Sequence, residues 1–112
     1  TKLITVISGK IFDVVVDLRK SSKNFGKVVS FLLDSKKNNQ LLLPKGFGHG
    51  FQCLSLNSII HYKCDNYFDK NDQFGIIYNN KKLSIKWPLK KKILSKKDLD
   101  FPNIENISKF FK

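Results

Sequence analysis

The chain has 112 residues, 41% hydrophobic and 27% charged, a composition that fits one globular domain and excludes an intrinsically disordered segment. Its formal charge is +12, yet every basic residue except Arg19 is Lys, so the side chain preferred for bidentate phosphate and base contacts is nearly missing. The Lys, Asn and Ile excess reads as a compositional bias rather than a nucleic-acid site, with an anionic partner as the other reading; no apolar run nears the roughly 20 residues that cross a bilayer.

Short β-type runs follow one another from the start. Residues 3–7 form the first, closed by Ser8-Gly9-Lys10. In residues 11–18, Phe12, Val14, Val16 and Leu18 alternate with Asp13, Val15 and Asp17, the period of a strand. Further strands are expected at 28–33, at 41–43 before Pro44, and at 51–54 after a glycine-rich corner. Residues 58–64 alternate again, with Ile60, Tyr62 and Cys64 on one face and His61 on the other. Strands are also expected at 75–78 and at 83–87, ahead of Pro88. Many short strands at such spacing describe an all-β sandwich or barrel. A helical pattern occurs only near the end, at 104–111, with Asn103 or Asn106 as its cap. Lys90-Lys91-Lys92 reads as a solvated loop. There is no repeat or linker, so residues 1–112 read as a single domain. The chain contains no Met, and Thr1-Lys2-Leu3 runs directly into a strand pattern, which suggests that residues are missing upstream.

The residues that carry chemistry are scattered. Cys53 and Cys64 make no disulfide framework and point to a reducing compartment. No secretory signal is seen in the sequence, and a cytoplasmic location is the expectation. His49, His61 and the two Cys show no ligand spacing of a metal site. Gly46-Phe47-Gly48-His49-Gly50 lacks the helix and the Gly-Lys-Ser/Thr of a phosphate loop. No Ser occupies a nucleophile elbow. His49 either points into a cavity or is the hydrogen-bonded histidine of a bulged corner. Tyr62 is either core filling or a proton donor. Asp98 is a solvated acid, a helix cap or a functional carboxylate. Asp13 shares a face with Ile11 and Val15, so it is either exposed or placed inside for a purpose.

Several blocks together resemble one enzyme family. Lys2-Leu3-Ile4 followed by Gly9-Lys10-Ile11-Phe12-Asp13-Val14-Val15-Val16-Asp17-Leu18-Arg19 is similar to the Lys-Leu-Val and Gly-x-Val-Phe-Asp-Val-x-Val-Asp-Leu-Arg stretch of dTDP-4-dehydrorhamnose 3,5-epimerases. Ser22 to Gly26 resembles their Ser-Pro-Thr-Phe-Gly. Leu43-Pro44-Lys45-Gly46-Phe47-Gly48-His49-Gly50-Phe51 resembles Ile-Pro-x-Gly-Phe-Ala-His-Gly-Phe. Tyr62-Lys63-Cys64, Asn66-Tyr67-Phe68, Trp87-Pro88 and Leu94-Ser95-Lys96-Lys97-Asp98 complete the series.

The resemblance implies a cupin-like double-stranded β-helix, or jelly roll, usually a homodimer and without metal or cofactor. The implied substrate is a dTDP-4-keto-6-deoxy sugar, inverted at the two carbons beside its ketone. Tyr62 would donate a proton and Lys2 would stabilise the enolate oxygen. His49 would line the sugar pocket, oriented by Asp13. Lys97 would bind the substrate, Phe68 would stack on the thymine, and Gln73 would supply a contact that many members make with Glu. Asp98 would orient the base, a His that the family carries in an Arg-Gly-(Leu or Met)-His stretch about ten residues before Lys2. That motif is not in this sequence, so the domain is expected to miss its N-terminal part, to show little turnover and to aggregate through open sheet edges. A non-catalytic cupin-like sugar-nucleotide binder is the alternative.

Overall fold

β-branched residues in alternating runs favour pleated, half-buried strands. In the computed structural model they build six of them: Lys2–Ser8 (β1), Lys10–Asp17 (β2), Val28–Asp34 (β3), Gln40–Leu43 (β4), Phe47–Cys53 (β5) and Ile59–Cys64 (β6). The structure describes residues 1–65, 76–80, 83–89, 94, 96–99 and 101. The strands form two antiparallel sheets, one ordered β4-β1-β6 and the other β3-β2-β5. This is the all-β, cupin-like arrangement that the resemblance implies.

Gly9 alone separates β1 from β2, which belong to different sheets. Its φ is +89°, and a Cβ there would lie 2.5 Å from the Asn57 carbonyl oxygen and 2.5 Å from Ser55 Oγ. A glycine is therefore needed at this corner on both counts. Beyond it the chain folds back, and Ile4 and Val6 of β1 meet Ile11 of β2 and Leu33 of β3 in one buried cluster. Burying each such side chain contributes about 1.5–3 kcal/mol, so this strip holds the sheets face to face.

β2 is the central strand of its sheet, and both of its faces are covered. Ile11 and Asp13 face the other sheet and are fully buried. On the opposite face Val14, Val16 and Leu18 pack with Leu83, Phe12, Ile76, Ile85 and Trp87. That second layer is where expectation and structure part. Strands were expected at 75–78 and 83–87, but of these, residues 76–78 and 83–87, which the structure describes, form turns and irregular backbone. Ser84 takes a φ of +49°, which interrupts an extended run before Pro88. The segment is instead fastened by side chains. Trp87 Nε1 donates to the Tyr78 carbonyl at 3.0 Å, and the Trp87 ring meets Phe12 edge-on at 5.9 Å. The Gln52 side chain donates to the Leu89 carbonyl and accepts from its N–H.

Two further differences concern boundaries. β5 begins at Phe47 rather than Phe51, so the glycine-rich corner after Gly46 is itself strand. The helix expected at 104–111 lies outside the described residues; the helical turn that is described falls earlier, at Lys96–Leu99 (α1).

Candidate functional site

Registers place the chemistry-bearing residues on the two inner faces. Residues directly opposite in an antiparallel pair share a face. Tyr62 lies opposite buried Ile4, and Lys2 shares the face of Ile4 two residues away. Lys2 and Tyr62 thus face the second sheet. Their side chains meet, with Lys2 Nζ 5.8 Å from the centroid of the Tyr62 ring. The Tyr62 side chain is 60% exposed, which overturns the core-filling reading.

On the second sheet Asp13 lies opposite Phe51 of β5 and Phe31 of β3, and His49 lies opposite Val15 on the same inner face. His49 Nε2 is 2.8 Å from Asp13 Oδ2 and 2.8 Å from Oδ1. Asp13 is completely buried and His49 is 16% exposed. Of the two readings left open for His49, the structure shows the hydrogen-bonded histidine: the ring is tethered to a carboxylate and keeps an accessible edge. With Asp13 ionised, Nε2 carries the donated proton, which fixes the tautomer. Asp13 Oδ1 is buried and has no hydrogen bond among the described residues. A fully buried carboxylate whose one described partner is a single imidazole nitrogen, within 2.8 Å of both its oxygens, is costly to keep, and such a cost is typical of a functional site.

A second carboxylate on the same strand face is treated differently. Asp17, 4% exposed, receives Arg19 Nε at 3.0 Å, Arg19 Nη2 at 2.9 Å, the Arg19 backbone N–H at 2.9 Å and Ser22 Oγ at 2.7 Å. The Arg19 hydrogen bonds hold its carboxyl well below the usual carboxylate range, against the opposing pull of burial. Arg19 in turn is pushed up by Asp17 and lies 4.8 Å over the Phe47 ring. Phe47 is two residues from His49 on the same face of β5, so this clamp fixes the start of the strand that carries His49. Sequence reasoning missed the clamp. Its signal was Asp17 falling on the face of Asp13, followed two residues later by the only Arg.

Asp98 lies in α1 and is partly buried; Lys97 belongs to the same turn. Phe68 and Gln73 lie outside the described residues. Cys53 and Cys64 are free and exposed. Among the described residues no three His, Cys, Asp or Glu side chains gather as a metal site, and no helix is long and apolar enough to cross a membrane.

Comparison with known proteins gives a consistent result. The sequence profile of the family described as dTDP-4-dehydrorhamnose 3,5-epimerase matches residues 1–106. A protein of that name from Shigella flexneri is 41% identical over 99 residues, covering 88% of this chain and 55% of its own. The crystal structure of the Bacillus anthracis enzyme with TDP and PPi bound superposes with a TM-score of 0.90 at 45% identity, over 92% of this chain and 59% of that one. A Legionella pneumophila structure in complex with dTDP-4-keto-L-rhamnose gives 0.90 at 38% identity, over 95% and 57%. The chain spans about half the length of the curated relatives it matches.

Proposed function

This chain belongs to the dTDP-4-dehydrorhamnose 3,5-epimerase family, and from that premise we propose that the space between the two sheets receives a dTDP-4-keto-6-deoxy sugar for epimerisation beside its ketone. The observation that carries this reading is the meeting of two pairs on facing surfaces: Lys2 with Tyr62 on one sheet, Asp13 with His49 on the other.

The chemistry follows from the groups. The C4 carbonyl acidifies the protons on C3 and C5, and removing one puts negative charge on the carbonyl oxygen. An ammonium held beside that oxygen stabilises the enolate, the role proposed for Lys2. A phenol can return a proton to the opposite face of the carbon, the role proposed for Tyr62. Lys2 against the Tyr62 ring keeps the two groups together. His49, its tautomer set by Asp13, offers a fixed polar contact to the sugar. Asp98, Lys97, Phe68 and Gln73 are proposed as the base-orienting carboxylate and the nucleotide and sugar contacts, by resemblance alone. The ligands of the Bacillus and Legionella relatives support a dTDP-linked substrate. A single domain over 1–112, a homodimer and a cytoplasmic location complete the reading.

Two measurements test it. Titration with dTDP-4-keto-6-deoxyglucose should shift the NMR signals of Lys2, His49 and Tyr62; shifts confined to the outer sheet faces would sink the proposal. In a chimera that joins this chain to the part of the Bacillus enzyme outside the matched region, solvent deuterium should enter C3 and C5. Tyr62→Phe should slow that exchange by about 10²–10⁴-fold without changing the melting temperature, since Tyr62 is mostly exposed. Binding without exchange in the chimera would favour the non-catalytic binder.

A further inference from the structure

We propose that Trp87 is a positioning residue for His49: packed against the outer side of β5, it fixes the backbone from which the imidazole reaches Asp13. The proposal rests on the reading of His49 as a sugar contact and names what keeps that contact in place.

β5 has little of its own to hold it around the histidine. Among the described residues it pairs only with β2. Alternation along the strand sends Phe47, His49 and Phe51 to the inner face and Gly48, Gly50 and Gln52 to the outer one. His49 is therefore flanked by two glycines, which loosen a strand interior and bring no side chain to pack with. Its bond to Asp13 is nevertheless demanding. His49 lies opposite Val15, so Asp13 is its diagonal neighbour, and Nε2 holds a 2.8 Å contact across a Cα separation of about 7–8 Å. A shift of about 1 Å in the height of the strand would take that contact out of hydrogen-bonding range.

The restraint comes from the outer face. Two side chains stand where the glycines have none: Leu18 Cδ1 lies 3.0 Å from the Cβ position of Gly48, and Trp87 Cη2 lies 3.7 Å from that of Gly50. Leu18 directly follows β2, the strand that already pairs with β5, so it moves with its partner. Trp87 comes from a separate segment and is the independent brace. It is pinned at three points. Its Nε1 donates to the Tyr78 carbonyl at 3.0 Å, and its ring meets Phe12 at an interplanar angle of 72°. Two residues on, Leu89 exchanges hydrogen bonds of 3.2 and 3.1 Å with the Gln52 side chain, which ties the segment of the indole to the strand it braces. A ring held in this way has one position, and the glycine-flanked backbone on the other side of His49 takes its height from it.

The test is nitrogen-15 NMR of the imidazoles in the 112-residue chain, without sugar. The sequence has two histidines, and His61, exposed on β6, is the internal reference. In the unsubstituted chain His49 should carry its proton on Nε2. Trp87→Phe withdraws the far edge of the ring from Gly50; it should mix the His49 tautomers and speed solvent exchange of the ring proton about tenfold, with His61 unchanged. Gly50→Ala, added to that variant, places a methyl where the ring edge was and should return the exchange to within about threefold of its starting value. Gln52→Ala opens the clasp to Leu89 from a partly exposed position, so it decides the matter even where Trp87→Phe fails to fold. It should speed His49 exchange in the same sense. A lower melting temperature with the His49 signals unchanged, in either variant, would assign Trp87 to the core alone and overturn the proposal. So would a Trp87→Phe effect that Gly50→Ala does not reverse. The spectra need no ligand, so they decide the positioning whatever the sugar-nucleotide titration decides about the site.

Discussion

Asp13 and Asp17 stand four residues apart on one face of one strand, and both are buried. Asp17 has hydrogen bonds from Arg19 and Ser22 on both oxygens. Asp13 shares one imidazole and keeps Oδ1 without a hydrogen bond among the described residues. The difference separates two uses of the same side chain. A saturated carboxylate ties down backbone, here the turn after β2 and the start of β5. An under-satisfied one keeps capacity for a group that arrives later.

Four experiments would break or sharpen that contrast, the largest effect first. Asp17→Ala removes every acceptor of the clamp and leaves Arg19 beside an apolar ring; it should give the greatest loss of thermal stability of the set, read by calorimetry. Gly46→Ala acts at the same end of the sheet. Gly46 has a φ of +96°, and a Cβ there would sit 2.7 Å from Arg19 Cγ, so a cost of about 1–3 kcal/mol is expected in urea melts. Asp13→Asn keeps shape and an acceptor for His49, so its stability change should stay within about 1 kcal/mol. Its sugar-nucleotide affinity should nonetheless fall, by isothermal titration. If Asp13→Asn proved as destabilising as Asp17→Ala, both carboxylates would be structural and the contrast would vanish.

The smallest effect is a pH dependence. The folded-state pKa of Asp17 is depressed, so its contribution is complete above the unfolded value of about 3.9 and is lost as pH falls below it. Stability followed by fluorescence should therefore drop on acidification below about pH 4. Asp17→Asn should flatten that drop.

Much of this was legible in the chain. Alternation located the strands from residue 3 to residue 64 within a few positions, because one buried face per strand leaves a period of two. It failed at 83–87, where Leu83, Ile85 and Trp87 alternate like a strand but act as a lid of side chains over β2. A positive φ at Ser84 and the anchoring of Leu89 to Gln52 are tertiary facts that no local pattern encodes. It left Tyr62 open, because alternation assigns a face and not a depth: the face is the inner one, yet the side chain is 60% exposed. The pairing of His49 with Asp13 depended on a register 36 residues apart in sequence. Resemblance suggested it; spacing alone did not.

The single-residue corner at Gly9 has a mechanical consequence. β1 runs seven residues from that corner to Lys2, a lever about 23 Å long at 3.3 Å per residue. A tilt of 5° at the fulcrum would therefore swing the ammonium by roughly 2 Å relative to the imidazole opposite. The spacing between the ammonium and the imidazole is thus set at the far end of β1, by a residue with no functional group of its own.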